Sequence, residues 1–233
     1  MDLVFATGNA GKLREAAEIL GPGYRVLSPA EVGLQGFDVE ETGSTFRENS
    51  LLKAQALWHA CGLPCFADDS GLEVDALGGA PGIYSARYAS DHNFASNIDR
   101  LLAELGAVSA GAPPSGVRPS DSPHHPFGTV PPLPNRGCYV PQGEPLQTFP
   151  GSARFRCVVT LIAEDGKPRF FEGACEGRIA RERHGAGGFG YDPVFVTDFY
   201  PNLTMAELSE DVKNAISHRG VALRLMAAWL ATR

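Results

Sequence analysis

The sequence predicts an α/β fold, and three observations carry that prediction. The chain opens as strand, glycine turn and helix; a second helix with its own start signal leads into a short buried strand; and strand-like runs return after residue 153, before two closing helical stretches. At 233 residues, 43% of them hydrophobic, the chain is long enough for one full-sized domain or two small lobes.

In order, Leu3–Ala6 is a short apolar run, and Leu13, Ala16, Ala17 and Leu20 follow at helical spacing, with Asn9 placed to cap that helix. Thr45-Phe46-Arg47-Glu48 has the form of a capping box, and Leu51, Ala54, Trp58 and Cys61 continue one face of the helix it starts. Asn49 and Lys53, four residues apart, share another face. Pro64–Ala67 reads as a short strand running into Asp68-Asp69, after which Gly71, Gly78, Gly79 and Gly82 mark a turn-rich region. Asn93–Leu105 reads as a helix with Ile98, Leu101, Leu102 and Leu105 as its buried stripe.

From Ala107 to Ser152 the composition changes. This stretch holds 11 of the 18 prolines and only four charged residues, so it predicts an insertion of about 40 residues that forms a flexible loop rather than core. Arg154–Ala163 then reads as a strand, Pro168–Gly173 as its hairpin partner and Gly177–Ala180 as a further short strand. A glycine-rich run, Gly185–Gly190, precedes helical stretches at Thr204–Asn214 and Ser217–Leu230.

The bulk composition excludes several classes. A net charge of -7 leaves no basic footprint for a nucleic-acid polymer, although a few local cations and helix N-termini suffice for a small polyphosphate. No window reaches ~18 uninterrupted apolar residues, and the first residues lack the pattern of a signal peptide, so no membrane and a cytoplasmic location are expected. The five cysteines are odd in number and lack C-x-x-C pairs, which predicts reduced thiols.

Four groups of residues carry candidate chemistry. Thr7-Gly8-Asn9-Ala10-Gly11-Lys12, between strand and helix, offers backbone N–H groups at a helix N-terminus and a lysine for a phosphate; taken alone, a tight connection explains it equally well. Asp68 and Asp69 are adjacent at a strand end and point to different sides, so one can ligate a divalent cation while the other faces an attacking water. An exposed turn would explain that pair too; Glu41, just before the helix that bears Lys53, favours chemistry. In Gly187-Gly188-Phe189-Gly190-Tyr191-Asp192-Pro193, aromatic rings between glycines suit stacking on a base, with one of the two rings expected to plug the core instead. Lys213, with Ser217-His218-Arg219 at the start of the last helix, supplies donors for a carbonyl oxygen.

Together the stretches FATGNAGKLREA, EETGSTFRENSLLKA, FADDSGLEVDALGGAPGIYSARY, GGFGYDPVF and AELSEDVKNAISHRGVAL resemble the inosine triphosphate pyrophosphatase, or HAM1-like, family, in family order and over nearly everything outside residues 107–152. The resemblance implies an elongated two-lobed α/β fold with a central mixed sheet flanked by helices, a substrate cleft and a homodimer. It implies hydrolysis of off-type purine nucleoside triphosphates (ITP, dITP, XTP) to the monophosphate and pyrophosphate, with Mg²⁺. Carried over position by position, Asp69 matches the catalytic base and a metal ligand, with Asp68 and Glu41 supporting the metal. Thr7 to Lys12, Lys53 and Ser70 match phosphate and substrate contacts; Phe189, Gly190, Tyr191 and Asp192 match the base-stacking segment, and Lys213, His218 and Arg219 the residues that grip the base. Two other readings stay open: a pyrophosphatase for other modified or ordinary triphosphates, and a catalytically silent nucleotide-binding regulator.

Overall fold

In a computed structural model, residues 1–112 and 144–232 are described. They form five α-helices and six strands: β1 (Asp2–Phe5), α1 (Ala10–Leu20), β2 (Arg25–Leu27), α2 (Phe46–Cys61), β3 (Cys65–Val74), α3 (Phe94–Ser109), β4 (Ala153–Ile162), β5 (Pro168–Ile179), β6 (Phe195–Thr197), α4 (Glu210–Ile216) and α5 (His218–Leu230). The strands make one sheet in the order β2-β1-β3-β4-β5-β6. It is mixed: β1 runs parallel to β2 and β3, whereas β5 and β6 are antiparallel. The expected α/β architecture, a central mixed sheet flanked by helices, is therefore present.

The chain divides into two compact units. The first comprises Met1–Ser70, Cys157–Ala174 and Ser217–Arg233. Here the period-two alternation of strands distributes two cores. Leu3 and Phe5 of β1 join Phe66 of β3 in a cluster closed by Ala16 and Leu20 of α1 and by Leu223 and Met226 of α5; Phe5 and Phe66 stack at 4.3 Å. Val4, Cys65 and Ala67, one residue out of phase, join Ala54 and Leu57 of α2. Burial on both faces explains why β1 and the start of β3 read as unbroken apolar runs rather than alternating ones.

The second unit, Gly71–Arg156 and Cys175–Ile216, is built on Leu72, Leu101, Leu105, Phe155, Tyr191, Phe195 and Met205. In α3, Asn93 caps the start by accepting from the Ser96 backbone N–H, and Ile98, Leu101 and Leu105 are buried as the spacing predicts, while the helix runs four residues further than expected.

Several expectations change. β3 does not stop before Asp68-Asp69 but carries both carboxylates in mid-strand and continues to Val74. The two strands expected at 168–173 and 177–180 are one strand, β5, and its glycines serve close approach rather than turns: a Cβ on Gly173 would lie 2.1 Å from the carbonyl oxygen of His218, and one on Gly177 2.2 Å from that of Val196. Three-residue strands β2 and β6 are too short to leave a periodic signal. The stretch at 204–214 is a single 3₁₀ turn followed by α4. In α2 the buried residues are Phe46, Asn49, Ser50, Ala54 and Leu57; of the expected stripe Ala54 is buried and Trp58 and Cys61 pack partly buried against the same core, while two polar residues, Asn49 and Ser50, are buried beside them. The capping box there is only half formed: Thr45 accepts from the Glu48 N–H, but Glu48 reaches back to Ser44 instead of Thr45.

Of the expected insertion, residues 113–143 lie outside the described residues, as does Cys138. At its two ends, Ala107–Ser109 are the last turn of α3, and Phe149 is part of the second unit's core. The other four cysteines are free thiols, as expected.

Candidate active site

The strand alternation that sorts the cores also sorts the two carboxylates. Asp68 is in phase with Phe66 and faces α1 and α5; Asp69 is in phase with Ala67 and faces α2. Their surroundings differ accordingly.

On the first side, Lys12 Nζ donates to both oxygens of Asp68 at 3.0 and 3.1 Å, and Arg219 Nε donates to Oδ2 at 2.9 Å. The guanidinium, 1% exposed, also donates through Nη1 to Glu15 of α1 at 2.6 Å and through Nη2 to the Ser70 hydroxyl at 3.4 Å. Burial alone would push the Asp68 carboxyl up; the charges of Lys12, Arg219 and Lys53 outweigh it and hold the group well below the usual carboxylate range. Burial likewise opposes charge on Arg219, and Asp68 and Glu15 overcome it, keeping the guanidinium charged.

On the other side, Asn49 Nδ2 donates to Asp69 Oδ2 at 3.0 Å, the Ser70 N–H donates to Oδ1 at 3.0 Å, and Lys53 Nζ lies 3.7 Å from Oδ1. The same ammonium donates to Glu41 Oε1 at 2.5 Å. Asn49 and Lys53 thus share a helix face, as their spacing predicts, and converge on one carboxylate. Burial raises the Asp69 carboxyl to about 6, with the charges of Glu41 and Asp68 adding to it against Lys53 and the Asn49 bond. For Lys53, burial works against the charge and the three carboxylates more than compensate, so its pKa is raised. One dipeptide therefore presents a permanently ionised carboxylate and a poised one, a separation typical of acid–base sites.

The turn before α1 is organised by Asn9, whose side-chain oxygen accepts the N–H groups of Gly11 at 2.8 Å and Lys12 at 3.1 Å; Thr7 Oγ1 accepts that of Asn9 at 3.2 Å. The cap thus uses two of the N–H groups that the sequence offers to a phosphate, and Lys12 is turned onto Asp68. Gly8 borders open space, with nothing within 4 Å of where a Cβ would sit, so an anion has room beside the turn.

In the second unit, the two rings of the glycine loop separate as expected. Phe189 is 46% exposed, whereas Tyr191 is 2% exposed and donates its hydroxyl to the Ser85 carbonyl at 2.9 Å. Tyr191 therefore braces the loop from the core instead of offering a stacking face, because its hydroxyl finds a partner there that the phenyl ring of Phe189 does not need. Asp192, also buried, accepts the Phe189 N–H at 2.9 Å and the Lys213 ammonium at 2.5 Å; that ammonium sits 4.8 Å from the centre of the Phe189 ring. Gly188 and Gly190 both have positive φ, 73° and 65°, which the loop requires on either side of Phe189. Lys213, Asp192 and Phe189 are thus brought together.

Arg219 directs its donors to Asp68, Glu15 and Ser70, and so stands against the carboxylate at the start of α5. His218 beside it is 8% exposed. Sequence reasoning misses Glu15, for which the one signal is its position three residues after Lys12 on the same helix face.

Among the described residues, no cluster of three or more His, Cys, Asp or Glu side chains is arranged to hold a metal ion. Asp68, expected in such a set, is engaged by Lys12 and Arg219. What remains is Asp69 with Glu41, both ion-paired to Lys53, and this fits a hard cation of the Mg²⁺ kind, which binds one or two carboxylates and completes its shell with water and phosphate oxygens.

Comparison with known proteins places these features in a family. The Ham1 family model matches residues 3–113 and 144–229, leaving out only the middle of the proline-rich stretch and the chain ends. The chain belongs to the Ham1 family. It is 43% identical over 230 residues to the dITP/XTP pyrophosphatase of Yersinia pseudotuberculosis, covering 96% of this chain and 95% of that one. It is 42% identical over 235 residues to that of Methylococcus capsulatus, covering 98% and 95%. Among solved structures, the Ham1 protein of Staphylococcus aureus superimposes with a TM-score of 0.74 at 36% identity, covering 100% of this chain and 99% of its own. Among the described residues, no helix is long and apolar enough to cross a membrane.

Proposed function

We propose that this protein is a nucleoside triphosphate pyrophosphatase that hydrolyses off-type purine triphosphates (dITP, XTP and ITP) to the monophosphate and pyrophosphate, and so cleans the nucleotide pool. Membership of the Ham1 family and the activity named for its Yersinia and Methylococcus relatives support the reaction. The observation that carries it is the carboxylate of Asp69, raised to about 6 and held between Asn49 and Lys53. A base of that strength is largely ionised at neutral pH and can accept the proton of a water molecule as its oxygen attacks the α-phosphorus. The new P–O bond forms as the bond from the α-phosphorus to the bridging oxygen breaks, and pyrophosphate leaves.

Lys12 and Lys53, with the Thr7–Lys12 turn and Ser70, are proposed to meet the phosphates and offset their charge. Asp69 and Glu41 would hold Mg²⁺, with Asp68 supplying charge from the other face of β3; the cation, when bound, offsets charge on the phosphate oxygens and lowers the pKa of a bound water. Phe189 offers its open face to a purine, with Gly190 giving the loop its turn. Lys213, Asp192 and His218 are polar groups able to address the ring edge, while Tyr191 and Arg219 act from behind, through the loop and through Asp68. Inosine and xanthosine carry a carbonyl at purine C6 where adenosine carries an amino group, so donors at that edge favour the former and are left unpaired by the latter. A cytoplasmic homodimer without nucleic-acid partners belongs to the same reading.

The test is incubation with Mg²⁺ and each of ITP, dITP, XTP, GTP and ATP, with pyrophosphate detection. The reading requires pyrophosphate from the first three at rates well above ATP. No pyrophosphate from any of them ends it.

A further inference from the structure

Asn49 does more than fill a helix face. It is fully buried, and both ends of its amide are used: Nδ2 donates to Asp69 Oδ2 at 3.0 Å, and Oδ1 accepts the backbone N–H of Gly43 at 2.8 Å. The amide is thus a bridge between the carboxylate in mid-strand and the Glu40-Glu41-Thr42-Gly43 segment, whose Glu41 grips Lys53. The approach is close enough to fix the residue at position 43: a Cβ there would fall 2.6 Å from Asn49 Oδ1 and 2.7 Å from the Cβ of Glu48. Only an amide can do this. Aspartate in the same place would keep the acceptor for Gly43 but set a lone pair against Asp69; an aliphatic side chain would leave a buried N–H and a buried carboxylate oxygen without their partner.

We propose that Asn49 is a positioning residue for the hydrolytic reaction: its amide fixes the rotamer of Asp69 and locks that carboxylate to the Glu41 segment, so that base and segment are held as one preformed unit. The proposal rests on Asp69 being the base. Lys53, one turn further along α2, reaches the other oxygen of the same carboxylate, so α2 holds both of its oxygens from one side. Loss of a partner that orients a reacting group costs about 10–100-fold in activity. That loss should fall on kcat, because both ends of the Asn49 amide are used within the protein, on Asp69 and Gly43.

The experiment uses Asn49→Ala and Asn49→Asp in the full chain, with wild type and Asp69→Asn alongside. Folding is checked by thermal unfolding and kinetics are measured on ITP with Mg²⁺. The expected result is a roughly 10–100-fold fall in kcat for both variants, with KM within about threefold of wild type. A second readout needs no turnover: in metal-free wild type the Asn49 side-chain amide protons are expected to exchange slowly with solvent by NMR, and Asp69→Ala is expected to accelerate that exchange. A folded Asn49→Ala protein with kcat within threefold of wild type overturns the proposal, as does amide exchange unaffected by Asp69→Ala. If Asn49→Ala does not fold, Asn49→Asp, which keeps the shape and the bond to Gly43, decides by the same criterion, and the exchange measurement needs neither. An inactive wild type, or a fully active Asp69→Asn, instead removes the base assignment and with it the ground for this proposal.

Discussion

Asp68 and Arg219 form an ion pair at 2.9 Å in which each side chain is only 2% exposed. Burying two charges is costly, and the pair persists because Lys12, Glu15 and Ser70 take up the remaining donors and acceptors. Removing one partner leaves the other buried and uncompensated. Arg219→Met is expected to destabilise the protein by about 3–5 kcal/mol, measured by denaturant unfolding. Arg219→Lys should recover only part of that, since a single ammonium cannot span Asp68, Glu15 and Ser70. An Arg219→Met protein as stable as wild type would show that the pair is dispensable.

Asp69→Asn is expected to abolish pyrophosphate release while leaving the fold intact, and it carries a pH signature in the metal-free protein. The folded chain holds the Asp69 proton up to about pH 6, against an ordinary value of 3.8. The favourable contribution of the protonated form is therefore complete below about pH 4 and is lost as the pH rises through 6, on the order of 3 kcal/mol in all. Asn cannot ionise, so metal-free Asp69→Asn should melt above wild type at pH 8 and converge on it near pH 4. Parallel melting curves across that range would remove Asp69 as a strained carboxylate.

Phe189 and Tyr191 should respond in opposite ways. Phe189→Ala removes an exposed ring and is expected to raise KM for ITP by roughly tenfold with little change in melting temperature, since base stacking contributes about 1–3 kcal/mol. Tyr191→Phe removes only the bond to Ser85 and should cost about 1 kcal/mol of stability while leaving KM near wild type. Steady-state kinetics paired with melting curves separates the two, and a large KM effect from Tyr191→Phe would contradict the assignment.

Gly173→Ala should be severe for so small a change. The added methyl would meet the His218 carbonyl oxygen at 2.1 Å and the Ala222 nitrogen at 2.8 Å, both backbone atoms that cannot swing away. A loss of about 1–3 kcal/mol or more is expected, with reduced activity because the start of α5 is displaced. Wild-type melting and turnover in this variant would show that β5 and α5 can yield.

What the sequence reveals and conceals follows from the range over which each signal acts. Asn9 as a cap, α3 with its apolar stripe, the shared helix face of Asn49 and Lys53, and the expectation that one of the rings of Phe189 and Tyr191 plugs the core are all legible, because caps, helical spacing and glycine context act within a few residues. The length of β3 and the fusion of two expected strands into β5 are not. In β3 the acidic pair looks like a turn until Lys12 and Arg219, 56 and 151 residues from Asp68, supply the counter-charges that let it lie inside a sheet. In β5 the glycines at 173 and 177 look like breaks until α5 and β6 are seen pressed against them. The ion pairs of Arg219 are hidden for the same reason: its partners on α1 and β3 are far away in sequence, and α5 alone shows only a polar residue near its first turn.

The alternation of β3 also limits how this chain can change. Because consecutive positions look to opposite sides, inserting or deleting one residue between Cys65 and Asp68 would exchange the two carboxylates, handing the poised one to Lys12 and Arg219 and the permanently charged one to α2. A two-residue change would restore the facing but carry both groups about 7 Å along the strand, past their partners. Tolerance to length change therefore ends at this strand: the three steps from Cys65 to Asp68 are a measuring rod as much as a piece of sheet.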